Sequence, residues 1–459
     1  MNVIDWLAKQ EQYNPDKRAI LDIGANRAYT YREFNAEAEK VRSALQEFGV
    51  KPGDRVCALL PNGAEILFAL FGATKLGAIF VPLNLKLSAS EQAEVMADAG
   101  PKVLIDHEGL HRVGPDGEGS GAVDMESPQM LLYTSGTTGK PKGAILSHRH
   151  ILWNAINTSH RLLTASDTVL IHSPMFYTGG LNVFTLPAFY LGATVAILKT
   201  FHADEVLEQV ERLRITCMFA VPTQLGMMAD SPRFGTVDLS SLRYVISGGA
   251  PCPVDLIERW IERGVTMRQG FGLTEAGPNC FALDARDAVR KAGSIGFPNF
   301  TVEARIEDGE LLLKTPAMCS GYWNNPEQTA AAIREGWFHT GDIATVDSEG
   351  YWYIVDRKKD MFISGGENVY PAEVERVLLS HPKVAEAAVF GTPHPKWGEV
   401  GIAAVVLKDG EVLTGQDLLS FCVGKIAKFK IPKSVTWVNE LPKTASGKVR
   451  KQDLKRQLR

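Results

Sequence analysis

The sequence predicts an α/β protein with a large N-terminal domain of layered sheets and helices and a small α+β C-terminal domain. Three observations predict it. Strand-like and helix-like patterns alternate through the N-terminal third, as they do in parallel sheets covered on both faces. The 459 residues correspond to two to four domains at roughly 150 residues each. A charge run, Asp356-Arg-Lys-Lys-Asp360, follows a strand-like segment. The stretch of about a hundred residues beyond it mixes helices and strands and has the size of a separate small domain. The expected division is 1–356 and 357–459.

In chain order, Thr30-Tyr-Arg-Glu33 reads as a capping box, in which hydroxyl and carboxylate satisfy the free N–H groups of a helix start. Phe34, Ala38, Val41, Leu45 and Phe48 then recur on one helical face, and Gly49 ends the helix. Arg55–Leu60 reads as a buried strand closed by Pro61-Asn-Gly63, Glu65–Leu76 as an apolar helix, and Ala78–Val81 as a short strand. Similar units recur at Thr194–Leu198, Thr216–Val221 and Tyr244–Ser247. Residues 106–130 are rich in Gly, Asp and Glu and read as an exposed loop. The uncharged stretch from Tyr177 to Leu198 is long enough to span a bilayer. Asn182, Pro187 and Gly192 interrupt it, so helix, turn and buried strand is the better reading. Beyond the charge run, helices are expected at Ala372–Ser380 and Gln416–Cys422, and strands at Ala387–Phe390, Ile402–Leu407 and Ser434–Val438.

Composition narrows the function classes. Hydrophobic residues make up 45% and charged residues 22%, ordinary values for a globular protein. Lys plus Arg number 49 against 53 Asp plus Glu, a net charge of −4, which gives no support to nucleic-acid binding. The six cysteines are scattered with no CxxC spacing, so zinc and dithiol redox readings have no footing. The N-terminus shows no basic, apolar leader pattern, so the expected compartment is the cytoplasm, with at most peripheral membrane contact.

The strongest local signal is Tyr133-Thr-Ser-Gly-Thr-Thr-Gly-Lys-Pro-Lys-Gly143. Its glycines allow tight turns, and its hydroxyls and lysines can all donate to phosphate oxygens. It is not a Walker loop, because Gly136 and Gly139 are too close and Pro141 follows Lys140. Strand-like Met130–Leu132 before it and Ala144–Leu146 after it predict a phosphate-gripping hairpin. Four further segments carry chemistry. Ser247-Gly-Gly-Ala-Pro251 lets a flat ring lie on bare backbone. Gly270-Phe-Gly-Leu-Thr-Glu275 offers an aromatic ring for adenine and a carboxylate for Mg²⁺. Trp337-Phe-His-Thr-Gly-Asp342 ends in a carboxylate suited to two ribose hydroxyls. Leu441-Pro-Lys-Thr-Ala-Ser-Gly-Lys448 sets a lysine on a glycine turn. Taken singly, each is equally a turn or a solvated charge.

In this order, and with Ser364-Gly-Gly-Glu-Asn-Val-Tyr-Pro-Ala-Glu-Val-Glu375, the motifs make the chain resemble the adenylate-forming (acyl-activating, AMP-binding) enzyme superfamily. The resemblance is greatest to its acyl-CoA synthetase branch, and the motifs run from Tyr133 to Lys448. It implies an acid–CoA ligase that uses ATP, Mg²⁺ and coenzyme A. A carboxylate attacks the ATP α-phosphate to give acyl-AMP and pyrophosphate, and the CoA thiol then takes the acyl group. Thr134, Ser135, Gly136, Thr137, Thr138, Gly139 and Lys142 would hold the β- and γ-phosphates. Gly249, Ala250, Gly270, Phe271, Gly272 and Leu273 would form the adenine slot. Thr274 would stand at the α-phosphate, with Glu275 on Mg²⁺ and Asp342 and Arg357 on the ribose. Lys448 would be the main catalytic cation of the first half-reaction.

For the second half, the resemblance implies that the small domain is mobile and rotates about Lys359. Ser364, Gly365 and Gly366 would then border the pantetheine arm, and Trp397 the CoA adenine. Tyr177, where relatives often carry His, and Gly248 would face the acid. His339 stands where many relatives carry Arg or Lys. The apolar residues between Phe176 and Phe189 favour a medium- or long-chain fatty acid, with a cinnamate- or benzoate-type aryl acid next. An acyl-AMP ligase serving a carrier protein and an inactive nucleotide-binding relative are the other readings. A monomer or homodimer with small-molecule partners is expected.

Overall fold

The computed structural model describes residues 3–115, 122–135, 141–250, 252–443 and 449–458. The chain forms two compact units. The first comprises Met1–Ala304 and Leu313–Phe338, the second Arg305–Leu312 and His339–Arg459.

Two sheets organise the first unit. The nine-stranded sheet runs, edge to edge, Phe297–Pro298, Gly277–Ala282, Met267–Leu273, Tyr244–Ser247, Cys217–Ala220, Thr168–Ile171, Thr194–Ile197, Arg18–Asp22 and Arg27–Thr30. Its central strands are parallel and its edges antiparallel. The six-stranded sheet runs Gly109–Arg112, Val103–Asp106, Arg55–Ala58, Ile79–Pro82, Pro128–Ser135 and Pro141–Ser147. The alternation read from sequence is therefore a doubly covered, largely parallel sheet system. The expected capping box is present. Thr30 N donates to Glu33 Oε2 at 2.8 Å, Glu33 N donates to Thr30 Oγ1 at 3.2 Å, and the helix runs Tyr31–Glu47. Phe34, Phe71 and Phe189 pack ring against ring in the core between the sheets. A second core, around the fully buried Trp260, fills the opposite face of the large sheet.

The uncharged stretch folds as helices Thr178–Leu181 and Thr185–Leu191, a left-handed turn at Gly192 (φ 78°), and the buried strand Thr194–Ile197. Among the described residues no helix is long and apolar enough to cross a membrane. Residues 106–130 are not simply a loop, because Gly109–Arg112 pairs antiparallel with Val103–Asp106. Asp106 drives that turn: its carboxylate accepts from Glu108 N at 2.8 Å and pairs with His111 Nε2 at 2.9 Å.

In the second unit a sheet runs Glu367–Val369, Phe362–Ser364, Gly398–Leu407 and Val384–His394, with Ser434–Trp437 beside Gly398–Leu407. Helices Pro371–Leu379 and Gly415–Phe421 cover one face. The two longest strands exceed the expected segments because Gly391 and Gly401 sit opposite each other inside them. A side chain at 391 would meet Phe362 Cβ at 2.5 Å, so the glycines make room for that ring.

Candidate active site

In the first unit, Pro128–Ser135 and Pro141–Ser147 pair antiparallel, with Thr134 opposite Lys142 and Ser135 opposite Pro141. This is the hairpin the sequence predicts. Gly136, Thr137, Thr138 and Gly139 at its tip lie outside the described residues. The stem is braced from two sides. Tyr133 Oη donates to Asp98 Oδ2 at 2.6 Å, and the Trp323 amide donates to Gly143 O at 2.8 Å. Burial and the Asp98 carboxylate push the Tyr133 phenol well above its ordinary range. The Lys142 ammonium bonds the Gln328 side-chain oxygen and lies 5.6 Å from the Tyr322 ring centroid.

Tyr322 links the hairpin to the predicted metal carboxylate. Its hydroxyl donates to Glu275 Oε1 at 2.9 Å. Burial and the Glu275 charge raise its pKa, so it remains a donor. The Glu275 backbone oxygen also accepts from Cys319 N at 2.6 Å. Lys142, Tyr322 and Glu275 thus form one continuous edge. Sequence reasoning missed Tyr322 and Gln328, and their neighbours in sequence carry no signal that would have found them.

The residues expected at the adenine follow two adjacent parallel strands, which pair Ser247 with Gln269 at their ends. A side chain at Gly248 would meet the Phe219 ring at 3.1 Å and the Gly270 carbonyl at 3.3 Å. The two glycine motifs therefore abut through bare backbone, with Gly249 and Ala250 exposed beside them. A side chain at Gly272 would come within 2.2 Å of Pro278 O, so only glycine fits the Met267–Leu273 and Gly277–Ala282 hairpin there. The half-buried Phe271 ring packs edge-on against Phe281, with centroids 5.8 Å apart. Leu273 ends the strand and Thr274 is buried just after it. Tyr177 is half-buried, its ring 4.9 Å from that of Phe176. Its oxygen accepts from Asn84 Nδ2 at 2.9 Å, and burial raises its pKa. The phenol therefore keeps one proton to donate. Asn84 was not singled out from sequence.

Glu275 suits Mg²⁺ by its chemistry. Among the described residues no group of three or more His, Cys, Asp or Glu side chains could hold a metal. A single carboxylate completed by phosphates and water is the ligand pattern Mg²⁺ accepts, and zinc would need more protein ligands.

In the second unit, Asp342 and Arg357 face each other across antiparallel strands, with Arg357 Nε 2.6 Å from Asp342 Oδ1. The Asp342 side chain is only 4% exposed and that of Arg357 45%, so the guanidinium lies at the surface over a buried carboxylate. Beside them Glu310 accepts from Gly341 N at 3.0 Å and pairs with Lys358 at 2.9 Å. His339 Nδ1 lies 3.7 Å from the same Glu310. Lys359 is exposed in the turn that follows Trp352–Arg357. Ser364, Gly365 and Trp397 lie together at one turn. Gly365 N donates to Trp397 O at 2.8 Å, and a side chain at 365 (φ 62°) would meet the Trp397 ring at 3.0 Å. Gly366 completes the turn, and Trp397 is 41% exposed, which leaves a ring face for a ligand. Lys448 lies outside the described residues.

Comparison with known proteins gives the family. Residues 7–323 match the AMP-binding enzyme family, and residues 373–448 match the AMP-binding enzyme C-terminal domain. A feruloyl-CoA synthase of an Amycolatopsis species is 41% identical, over 98% of each chain. The long-chain-fatty-acid–CoA ligase FadD13 of Mycobacterium tuberculosis is 34% identical, over 100% of this chain and 99% of its own. Among solved structures, o-succinylbenzoate CoA synthetase (MenE) of Bacillus subtilis, with its acyl-adenylate intermediate, is similar at a TM-score of 0.89 and 32% identity, over 98% of each chain. The chain belongs to the AMP-binding, adenylate-forming enzyme family.

Proposed function

We propose that this chain is an ATP-dependent, AMP-forming acid–CoA ligase whose substrate is an aryl acid of the hydroxycinnamate class. The carboxylate oxygen attacks the ATP α-phosphorus, and the bond to the bridging oxygen breaks to release pyrophosphate. The CoA sulfur then attacks the acyl carbon, and AMP leaves. The first step brings two anions together, so it depends on fixed donors and cations where charge develops. Lys142 and the Thr134–Gly139 segment serve the outer phosphates, Thr274 the α-phosphate, and Lys448 the reacting oxygens. Glu275 would hold Mg²⁺, which when bound would supply further positive charge to the phosphates. Asp342 and Arg357 hold the ribose, and Gly248–Ala250 with Gly270–Leu273 leave a backbone slot for the base.

For the second step, residues 357–459 turn about Lys359, which carries Lys448 away and brings Ser364–Gly366 and Trp397 to the acyl-adenylate. The exposed turn position of Lys359 suits a pivot. The six cysteines are free and buried, as suits a reducing cytoplasm.

The observation that carries the aryl reading is the greater identity to a feruloyl-CoA synthase, 41%, than to a long-chain ligase, 34%, at near-complete coverage of both. Tyr177 supports it. A half-buried phenol with a proton to give is answered by a ring hydroxyl or methoxyl and left unanswered by an alkyl chain. A fatty acid, expected first from the apolar Phe176–Phe189 stretch, is the second reading. The test is kcat/KM for 4-hydroxycinnamate-type acids against alkyl acids of graded length. A preference of about 10²-fold or more for the aryl acids is expected. Greater efficiency with a long alkyl acid would replace the aryl reading and leave the ligase reading intact.

A further inference from the structure

The C-terminal end of the second unit contains an arrangement that the catalytic roles above do not use. Lys451 opens the helix Lys451–Gln457, three positions after Lys448. Its ammonium lies 2.8 Å from Glu375 Oε1, with side chains only 14% and 16% exposed. The same carboxylate oxygen accepts from Val389 N at 2.7 Å. Glu375 therefore ties together helix Pro371–Leu379, strand Val384–His394 and the terminal helix. A second buried carboxylate, Asp356, is also drawn toward its charged form by Lys451. Asp356 accepts from Ala372 N and from Arg357 N, each at 2.7 Å. It immediately precedes Arg357 and stands three residues before Lys359. Burial pushes both carboxyls up, and Asp360 adds negative charge near Asp356, so Lys451 is what favours their charged forms from the terminal helix.

The described residues that flank Lys448 in sequence are tied to each other. Lys443 and Val449 form an antiparallel bridge, and Arg450 N donates to Pro442 O at 2.7 Å. Lys443 pairs with Glu386 at 2.7 Å, about one-third exposed on each side. Leu441 and Leu454 are buried in one cluster with Phe390. The more exposed Lys443 pair is weakened by solvent. The Lys451 pair is shielded, so its geometry is enforced, and losing one partner leaves an uncompensated buried charge.

We infer that Lys451, held by Glu375, is a positioning residue for the adenylation half-reaction: it fixes the stem from which Lys448 acts and couples that stem to the Asp356–Arg357 strand. The inference rests on the reading of Lys448 given above. It assigns Lys451 and Glu375 no contact with substrate. Their effect is expected in the first half-reaction and not in the second, which does not use Lys448.

The test measures the two half-reactions separately in Lys451→Met, Lys451→Arg and Lys448→Ala. For Lys451→Met the expected result is a loss of about 10- to 100-fold in adenylation kcat, the scale of an ångström's misplacement of a reacting group. The KM values for ATP and acid should change little. Thioester formation from supplied acyl-AMP and CoA should stay within about twofold. Lys451→Arg should recover most of the loss. Where Lys451→Met does not fold, Glu375→Gln, which keeps the volume and an acceptor for the Val389 amide, gives the same readout. Equal loss in both half-reactions, tracking a lower melting temperature, would reduce the pair to a structural staple and overturn the inference. Loss of adenylation in Lys448→Ala with full adenylation in Lys451→Met would overturn the inference alone. Full adenylation in Lys448→Ala would overturn the reading it rests on.

Discussion

His172 shows what a single residue can cost this fold. It is 3% exposed at the end of strand Thr168–Ile171, and neither ring nitrogen has a hydrogen-bond partner among the described residues. Burial lowers its pKa from 6.5 to about 4. His150, equally without partners, is lowered to about 3. At these two histidines the folded state thus binds fewer protons than the unfolded chain below pH 6.5. Stability is full above that value and falls as the pH drops toward the folded pKa. The urea midpoint should therefore fall between about pH 6.5 and about pH 4.5, and His172→Phe should show a shallower fall. Identical pH profiles for the variant and the parent would contradict this account of His172. Neither histidine stands out in the sequence, because burial is set by strand position in three dimensions. The same limit hid Tyr322, whose partner Glu275 is 47 positions away, and Gln328, whose partner Lys142 is 186 away. Lys142, Glu275 and Asp342 could be singled out only because the segments that carry them occur together and in order, since each alone reads as a turn or a solvated charge.

At the scale of elements, the bare backbone where Gly248 packs on Gly270 depends on a hairpin in which Gly272 lies against the Pro278 carbonyl. Gly272→Ala inserts a methyl group 2.2 Å from that oxygen. The strand must move, at a cost of about 1–3 kcal/mol. The expected outcome is a lower urea midpoint together with a raised KM for ATP. A variant with unchanged midpoint and unchanged KM would show that the hairpin is not the wall of the nucleotide site. The helix Tyr31–Glu47 was legible because a capping box opens it at Thr30, whereas Ala89–Ala99, with an equally complete box at Ser88 and Glu91, was not singled out because its apolar face is weaker. Strands Val384–His394 and Gly398–Leu407 were under-read because Gly391 and Gly401 break the apolar run, and only the Phe362 ring that crosses them explains why they are there. The hairpin in residues 103–112 was missed for the opposite reason. Its polar turn residues imitate a loop, while the pairing that makes them a hairpin is backbone.

At the scale of the whole molecule, the order of motifs identified the family, because five short segments of independent chemistry fall in one sequence. The fold then accounts for their spacing: glycine and hydroxyl segments end strands of the first unit, and in the second Arg357 and Ser364 end strands while Asp342 sits mid-strand opposite Arg357. The acid was less legible, since the shape of any pocket is a sum over side chains far apart in sequence, as Asn84 and Tyr177 are. The central claim is that one chain performs two half-reactions through a held acyl-adenylate. Pyrophosphate release from Mg-ATP and a hydroxycinnamate-type acid, measured with and without CoA, tests it most directly. The account predicts a single burst of about one pyrophosphate per enzyme without CoA and sustained turnover when CoA is added. Sustained release without CoA, or a burst that CoA does not convert to turnover, would contradict it.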